Sequence, residues 1–202
     1  RNSRWYSGLG IYRHVWLTVT NPIHIQQWGV FVTTPKVTSN AATINVSTNP
    51  TGFQNLPGLS HLKLRTQILD AKNKIVGTTE TNIPISQLPN IPITQSIELT
   101  NPSLWSPESP YLYHAVSEII QDTKTIDHAV TSFGVRSIDI TAEKGFLLNG
   151  HSIELRGGCV HHDNGPLGSA TIDRAEERRV ELLKQFGFNA VRTSHNPPSQ
   201  QF

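Results

Sequence analysis

The chain has 202 residues, and its 17 basic and 15 acidic side chains leave a net charge of +2. This balanced composition lacks the basic surface with which proteins follow nucleic-acid phosphates, so we predict no nucleic-acid partner. No apolar run is close to the length of about 20 residues that a membrane-spanning helix needs. The single cysteine, Cys159, excludes an internal disulfide framework and is expected to be a small packed residue near a strand, not a nucleophile.

The region from Tyr12 to about Ser137 is predicted to consist of short strands. Apolar and polar residues alternate with a period of two, first over residues 15–20, as expected of strands with one buried face. The other alternating segments are 30–34, 43–48, 62–69, 96–99 and 112–119. Asn, Pro and Gly separate these segments, so we predict an immunoglobulin-like β-sandwich over residues 22–137.

Two proline-containing segments interrupt this pattern. Three prolines exclude a central strand over residues 84–92, so we expect an edge strand or an irregular crossing between sheets there. Trp105 begins the second segment, which Pro107 and Pro110 make rigid. Two roles are open for Trp105: a side chain that fills a corner of the sandwich, which we favour, and a ring that stacks on a sugar.

A hairpin is predicted at residues 145–155, after the strand-rich region. Asn149 and Gly150 are residue types that tolerate positive φ, as the two central positions of a type I′ turn require. We expect this hairpin to close one end of a barrel whose first strand starts at Leu155.

A helix is predicted after the strand that starts at Leu155. Asp173 is expected to cap the helix while Glu176 reaches back to the cap, and Gly187 is expected to end it. The predicted apolar face, which leaves out Glu176, consists of Ala175, Leu182, Leu183 and Phe186. A strand over 189–192 follows, so the segment predicts a right-handed βαβ unit with parallel strands.

Polar side chains follow both strands of this unit. His161, His162 and Asp163 come after the first strand, and Arg192 and His195 stand at the end of the second. Parallel barrels present their functional groups at the carboxyl ends of their strands. The pattern therefore predicts part of an active-site wall at this edge of the sheet.

Four motifs occur in one order along the chain. They are Arg4-Trp5-Tyr6-Ser7-Gly8 with Gly10-Ile11-Tyr12-Arg13, Leu104-Trp105-Ser106-Pro107-Glu108-Ser109-Pro110-Tyr111-Leu112-Tyr113 with Phe133-Gly134-Val135-Arg136, Arg156-Gly157 with His161, and Asn189-Ala190-Val191-Arg192 with Ser194-His195. Together they resemble glycoside hydrolase family 2, the family of the β-galactosidases and β-glucuronidases. Within that family, the segment 161–168 is most similar to the β-galactosidase branch.

The resemblance implies a mainly β chain with three parts. Residues 1–21 would be the end of a sugar-binding jelly-roll domain, 22–137 an immunoglobulin-like β-sandwich, and 138–202 the first βαβ part of a TIM (β/α)8 barrel. The sequence contains no methionine, and a helix-start signal over 197–199 stands just before its last residues. We therefore expect an internal fragment of a longer polypeptide, and the sequence leaves open whether a targeting peptide precedes it.

The resemblance also implies a retaining glycosidase acting on terminal β-linked sugars. Such enzymes use two carboxyl groups about 5 Å apart. No pair of this kind is evident here, because Glu176, Glu177 and Glu181 belong to the crossover helix and Asp163 stands alone at a strand end. The family's two catalytic glutamates would lie beyond residue 202, so this fragment is expected to have no catalytic residue and no activity by itself.

Substrate binding is the role that the resemblance assigns to the polar strand ends. It implies that His161, Arg192 and His195 face the substrate or the catalytic carboxylates, and Asp163 is a further candidate for substrate contact. Arg192 would keep a neighbouring nucleophilic glutamate ionised by lowering its pKa. Purely structural alternatives remain open: an ion pair for Arg192 and a turn cap for His195.

Partners and cofactors follow from the same resemblance. A carbohydrate is the expected substrate, and no cofactor or metal is expected in this fragment, although some relatives carry Mg²⁺ on ligands further along the chain. His161, His162, Asp163 and His195 also suggest a zinc site, an alternative that we regard as weaker. The exposed edge of an incomplete barrel leaves formation of a homo-oligomer open.

Two other functions are compatible with the pattern. One is a non-catalytic carbohydrate-binding or adhesive sandwich, and the other is a metal-dependent hydrolase. The compartment is undetermined, with scarce cysteine and Thr/Asn-rich strands favouring an extracytoplasmic bacterial protein.

Overall fold

The computed structural model describes residues 11–53, 61–84, 92–194 and 197–202. Two compact units divide the chain: one comprises Val19–Ile153, and the other joins the segment up to Thr18 with Glu154–Phe202. The predicted crossing over 84–92 falls almost entirely outside the described residues, as does His195. The predicted domain boundaries after residues 21 and 137 stay predictions.

In the described residues of the first unit, seven antiparallel strands form a β-sandwich, which confirms the predicted immunoglobulin-like fold. These strands are β1 (His24–Val37), β2 (Ala41–Thr51), β3 (Leu62–Leu69), β4 (Ile75–Asn82), β5 (Ile93–Thr100), β6 (Tyr113–Gln121) and β7 (Lys124–Phe133). One sheet has the order β1-β2-β5 and the other the order β4-β3-β6-β7. The alternation pattern missed β4 and β7, because both are edge strands in which no residue is buried.

The alternating segment 15–20 is not a strand, so this part of the prediction is wrong. Val15 and Leu17 are 80% and 92% exposed, and in the described part of the chain no strand pairs with them. A strand needs a neighbour for its backbone hydrogen bonds. Alternation alone therefore does not establish one.

The sandwich core consists of two apolar clusters, each built from both sheets. The first cluster contains Ala42, Ile44, Val46, Ile68, Ile97, Leu99, Tyr113, Ala115 and Val135. The second cluster contains Ile23, Ile25, Leu62, Leu64, Ile83 and Ile119. Burial of these side chains is the main favourable contribution to folding of the sandwich.

A buried polar layer separates the two clusters. It consists of Thr48, Thr66, Gln95 and Ser117, from β2, β3, β5 and β6. Thr66 Oγ1 donates to Gln95 Oε1 over 2.6 Å, and Thr48 Oγ1 donates to Ser117 Oγ over 3.2 Å. Gln95 Nε2 donates to the carbonyl oxygen of Leu64 over 3.0 Å. Since these bonds connect the two sheets, they restrict how one sheet sits on the other.

A three-stranded sheet follows the sandwich within the same unit. It contains β8 (Ile138–Thr141), β9 (Gly145–Leu148) and β10 (His151–Ser152) in the order β10-β9-β8. Asn149 and Gly150, at φ 52° and 79°, join β9 to β10, which confirms the predicted turn. The Asn149 amide donates to the carbonyl oxygen of Trp105 and accepts a bond from the backbone of Ser137, both over 3.0 Å.

The second unit contains the predicted βαβ arrangement. Strand β11 (Gly157–Val160) lies parallel to β12 (Ala190–Thr193), and the connection contains a short 3-10 helix (Gly165–Leu167) and helix α1 (Asp173–Gln185). Gly187, at φ 84°, ends α1 as predicted. No helix in the described residues is both long and apolar enough to cross a membrane.

Three details of α1 differ from the prediction. Ile172, and not Asp173, occupies the N-cap, and its apolar side chain makes no capping bond. The Asp173 carboxylate lies 3.1 Å from His14 Nε2 instead. Glu176, placed outside the apolar face by the sequence, is only 2% exposed. Phe186, assigned to that face, is 77% exposed.

We expect Thr66→Val to lower the free energy of unfolding by about 1–3 kcal/mol, because it leaves Oε1 of buried Gln95 without its donor. Thr43→Val is the matched control, since Thr43 Oγ1 donates to Glu98 Oε1 over 2.6 Å at an exposed position. That change should cost less than about 0.5 kcal/mol. Urea denaturation measures both, and equal midpoints for the two variants would contradict a stabilising role of the polar layer.

Candidate functional site

The predicted site lies where β11 and β12 end. Val160, the last residue of β11, is paired with Thr193, the last residue of β12. The pairing continues one step further, because the backbone N–H of Ser194 donates to the carbonyl oxygen of Val160 over 2.9 Å. The polar segments that follow the two strands therefore leave the sheet side by side, as the sequence predicted.

The opposite ends of both strands are held by Asn189. Its Oδ1 accepts a bond from the backbone N–H of Arg156 over 2.8 Å, and its Nδ2 donates to the carbonyl oxygen of Glu154 over 3.0 Å. Next to this contact, a Cβ on Gly157 would lie 2.1 Å from the carbonyl oxygen of Ala190. Only glycine allows this approach, so Asn189 and Gly157 together define how the strands start.

Arg192 lies opposite Cys159 in the paired strands, so both side chains are on one face of the sheet. Its Nη1 donates to Cys159 Sγ and to the hydroxyl of buried Ser194, each over 3.5 Å. Within the described ranges Arg192 has no carboxylate within 4 Å. The structural ion pair considered for Arg192 is therefore not found there, and its exposed guanidinium is suited to bind an anionic or hydroxyl group.

Cys159 is an exposed thiol with an altered electrostatic environment. The hydrogen bond from Arg192 lowers the pKa of the Cys159 thiol, and the Ser194 hydroxyl contributes in the same direction. A lowered pKa raises the fraction of reactive thiolate at neutral pH. The prediction that Cys159 is a small packed residue does not describe its position in this structure, because no described element covers it.

The segment after β11 places its three polar residues differently. His161 is half-buried, whereas the Asp163 side chain is exposed. The ring of His162 packs against that of Tyr12, with centroids 5.4 Å apart. His161 and Asp163 thus stay candidates for substrate contact, and His195 lies outside the described residues.

Two charged residues of α1, which the sequence did not assign to the site, contact the segments after β11 and β12. Arg179 contacts the segment after β11, and Glu176 contacts both. The Arg179 guanidinium donates to the carbonyl oxygen of His161 over 2.7 Å. The Glu176 carboxylate accepts bonds from Asn164 Nδ2 over 3.2 Å and from Ser199 Oγ over 3.1 Å. Their place in the first two turns of a crossover helix, beside the strand ends, is the signal that identifies them.

The part of this unit that precedes the sandwich in the chain contacts the same segments. The backbone N–H of Thr171 donates to the carbonyl oxygen of Tyr12 over 2.9 Å, and Arg13 donates to the carbonyl oxygen of Pro197. The Arg13 guanidinium carbon lies 5.1 Å from the Tyr12 ring centroid. Tyr12 and Arg13 therefore border the segments that follow β11 and β12.

The described residues favour neither a metal site nor a sugar-stacking role for Trp105. Across residues 11–53, 61–84, 92–194 and 197–202, no group of three His, Cys, Asp or Glu side chains could hold a metal ion. Trp105 has the Arg136 guanidinium 4.5 Å from its ring centroid, and a Cβ on Gly134 would lie 2.7 Å from its side chain. These close contacts favour the structural role of Trp105.

Comparison with known proteins gives two family matches. The model described as glycosyl hydrolases family 2 matches residues 23–136, and the model described as the TIM barrel domain of that family matches residues 138–202. The predicted fold class, a mainly β chain with an immunoglobulin-like sandwich followed by the start of a TIM barrel, is thus confirmed.

Individual relatives agree with the family matches. Beta-galactosidase BoGH2A from Bacteroides ovatus is 38% identical over 99% of this chain and 23% of its own length. A beta-glucuronidase from Formosa agariphila is 30% identical over 92% of this chain and 20% of its own length. A crystal structure of a family 2 member from Bacteroides cellulosilyticus has a TM-score of 0.94 and 45% identity, over 100% of this chain and 27% of that one. The chain spans about a quarter of these proteins or less.

We expect the alkylation rate of Cys159 by iodoacetamide to rise with pH around a midpoint below that of an ordinary cysteine, because only the thiolate reacts. Arg192→Met removes the donor and its positive charge, so the midpoint should move to higher pH. Arg156→Met, at another exposed arginine of this unit, is the control and should leave the midpoint unchanged. Mass spectrometry over a pH series measures the rates, and an unchanged midpoint in Arg192→Met would refute the assigned cause.

Proposed function

The chain belongs to family 2 of the glycosyl hydrolases, and from this membership we propose that the protein containing it is a glycosidase that removes terminal β-linked sugars from carbohydrates. The observation that carries the proposal is the shared edge at which the polar segments after β11 and β12 leave the sheet. The names of the relatives, a beta-galactosidase and a beta-glucuronidase, support this class of reaction.

The proposed substrate is a β-galactoside. The relative with 38% identity carries the name beta-galactosidase, and so does a Thermoanaerobacter pseudethanolicus protein that is 30% identical over 96% of this chain. A β-glucuronide is the second candidate, because relatives with that name align over nearly the same residues.

The proposed mechanism is hydrolysis with retention of configuration. Two glutamates about 5 Å apart, one a nucleophile and one an acid/base, would come from later barrel strands beyond residue 202. Arg192 would lie beside the nucleophile and keep it ionised by lowering its pKa. His161, Asp163 and His195 would bond sugar hydroxyls, and such bonds accelerate the reaction where they strengthen in the transition state.

A non-catalytic carbohydrate-binding sandwich accounts for less of the chain. It assigns no purpose to residues 138–202, which match the barrel domain model of the family. The paired strand ends of the second unit have the arrangement that a barrel uses to present reactive groups. These two observations favour the enzyme.

The full-length protein should release nitrophenol from nitrophenyl β-D-galactoside faster than from the corresponding glucuronide. The 202-residue chain alone should release none, because the proposed glutamate pair is not part of it. A spectrophotometric assay of both proteins tests this directly. Absence of release by the full-length protein from either glycoside would refute the proposed activity, and turnover by the short chain would refute the placement of the glutamates.

Arg192→Ala in the full-length protein should lower kcat/KM for the hydrolysed glycoside roughly 10- to 100-fold, the cost of losing one charge-assisted hydrogen bond. Arg178→Ala, at an exposed position of α1, is the control and should leave kcat/KM within about twofold. Steady-state kinetics measures both variants. Equal values for them would place Arg192 outside the substrate site.

A further inference from the structure

Arg179 of α1 makes an unusual set of contacts with the segment after β11. Its side chain is 18% exposed. Nη1 donates to the carbonyl oxygen of His161 over 2.7 Å, and Nη2 donates to the carbonyl oxygen of Asp163 and to Oδ1 of Asn164. One planar guanidinium thus holds three points of the segment 161–164, a geometry that a lysine ammonium does not provide.

Glu176, one turn earlier on α1, connects this segment to the one after β12. Its side chain is 3% exposed and lies 3.8 Å from the Arg179 guanidinium. Oε1 accepts a bond from Asn164 Nδ2, and Oε2 accepts a bond from the hydroxyl of Ser199. Ser199 Oγ in turn accepts a bond from the backbone N–H of Phe202, so the segment 197–202 is attached to the same helix.

A buried charge pair at this place requires directional partners. A carboxylate removed from water is destabilising unless a cation and hydrogen-bond donors compensate it. Glu176 has all of these in Arg179, Asn164 and Ser199. Because the bonds to Arg179 orient the peptide groups of His161 and Asp163, they also determine where those two side chains project.

We propose that Arg179 and Glu176 form a positioning pair that sets the conformation of both polar segments at the carboxyl edge of β11 and β12, and so determines how tightly the sugar binds. The identification of the ligand as a sugar rests on the proposed function. The effect of the pair on the conformation of the two segments does not depend on that function. The pair acts through the segments and does not touch the substrate.

The test uses the full-length protein with Glu176→Gln/Arg179→Met. Arg179→Met alone would leave the Glu176 charge buried and unpaired, and that variant risks failing to fold. The double variant removes both charges while keeping the side-chain volumes similar. Arg174→Met is the matched control, because Arg174 pairs with Glu177 and Glu181 on the exposed side of α1.

Hydrogen–deuterium exchange is the first measurement. Backbone amides of 161–164 and 199–202 should exchange faster in the double variant and at the parental rate in Arg174→Met. Unchanged exchange in the double variant would overturn the proposal. This measurement needs no activity, so it decides the role of the pair even if the protein hydrolyses no nitrophenyl glycoside and the proposed function fails.

Steady-state kinetics with the hydrolysed nitrophenyl glycoside is the second measurement. KM should rise about ten- to hundredfold in the double variant, the scale expected when one or two hydrogen bonds to the sugar are lost, with a smaller change in kcat. A purely structural role would instead lower the melting temperature and the folded fraction at an unchanged KM. Faster exchange combined with parental KM would therefore overturn the assignment to the sugar site.

Discussion

The parallel pairing of β11 with β12 is the constraint on which the candidate site depends. It sets Cys159 opposite Arg192 and ends both strands at the same level of the sheet. A slip of one residue would turn each following side chain to the other face. Two features oppose such a slip: the Asn189 amide, which bonds the chain just before β11, and Gly157, whose missing Cβ lets the backbone approach Ala190.

In the sandwich, hydrogen bonds between side chains fix the position of one sheet on the other, whereas backbone pairing fixes the position of β11 beside β12. Its apolar clusters supply burial, but apolar contacts accept many arrangements of one sheet on the other. The bond from Thr66 to Gln95 runs from the four-stranded sheet to the three-stranded sheet, and that from Thr48 to Ser117 runs back. A buried donor without its acceptor is costly, so these bonds select one arrangement.

Sequence patterns predicted those parts of the fold that depend on local chemistry. Asn149-Gly150 and Gly187 adopt positive φ as expected, because a turn or a helix end needs only residues that tolerate that conformation. Alternation identified strands that bury side chains on one face, among them β5 at a sheet edge, but it failed at β4 and β7, which contain no buried residue. It also suggested a strand at 15–20, since alternation does not reveal whether a partner strand is present.

In the candidate site, too, local sequence patterns do not reveal contacts between residues that are distant in the chain. Polar residues at the end of a strand are a local signal, which makes His161 and Arg192 candidates, whereas Glu176 and Arg179 resemble the solvent-facing charges of any amphipathic helix. Their partners Asn164 and Ser199 lie 12 and 23 residues from Glu176, a distance that periodicity does not detect. The connectivity of a βαβ unit does supply a rule. The crossover helix starts near the carboxyl end of its first strand, so charged residues in its first two turns stand beside the functional edge and are candidates for holding it.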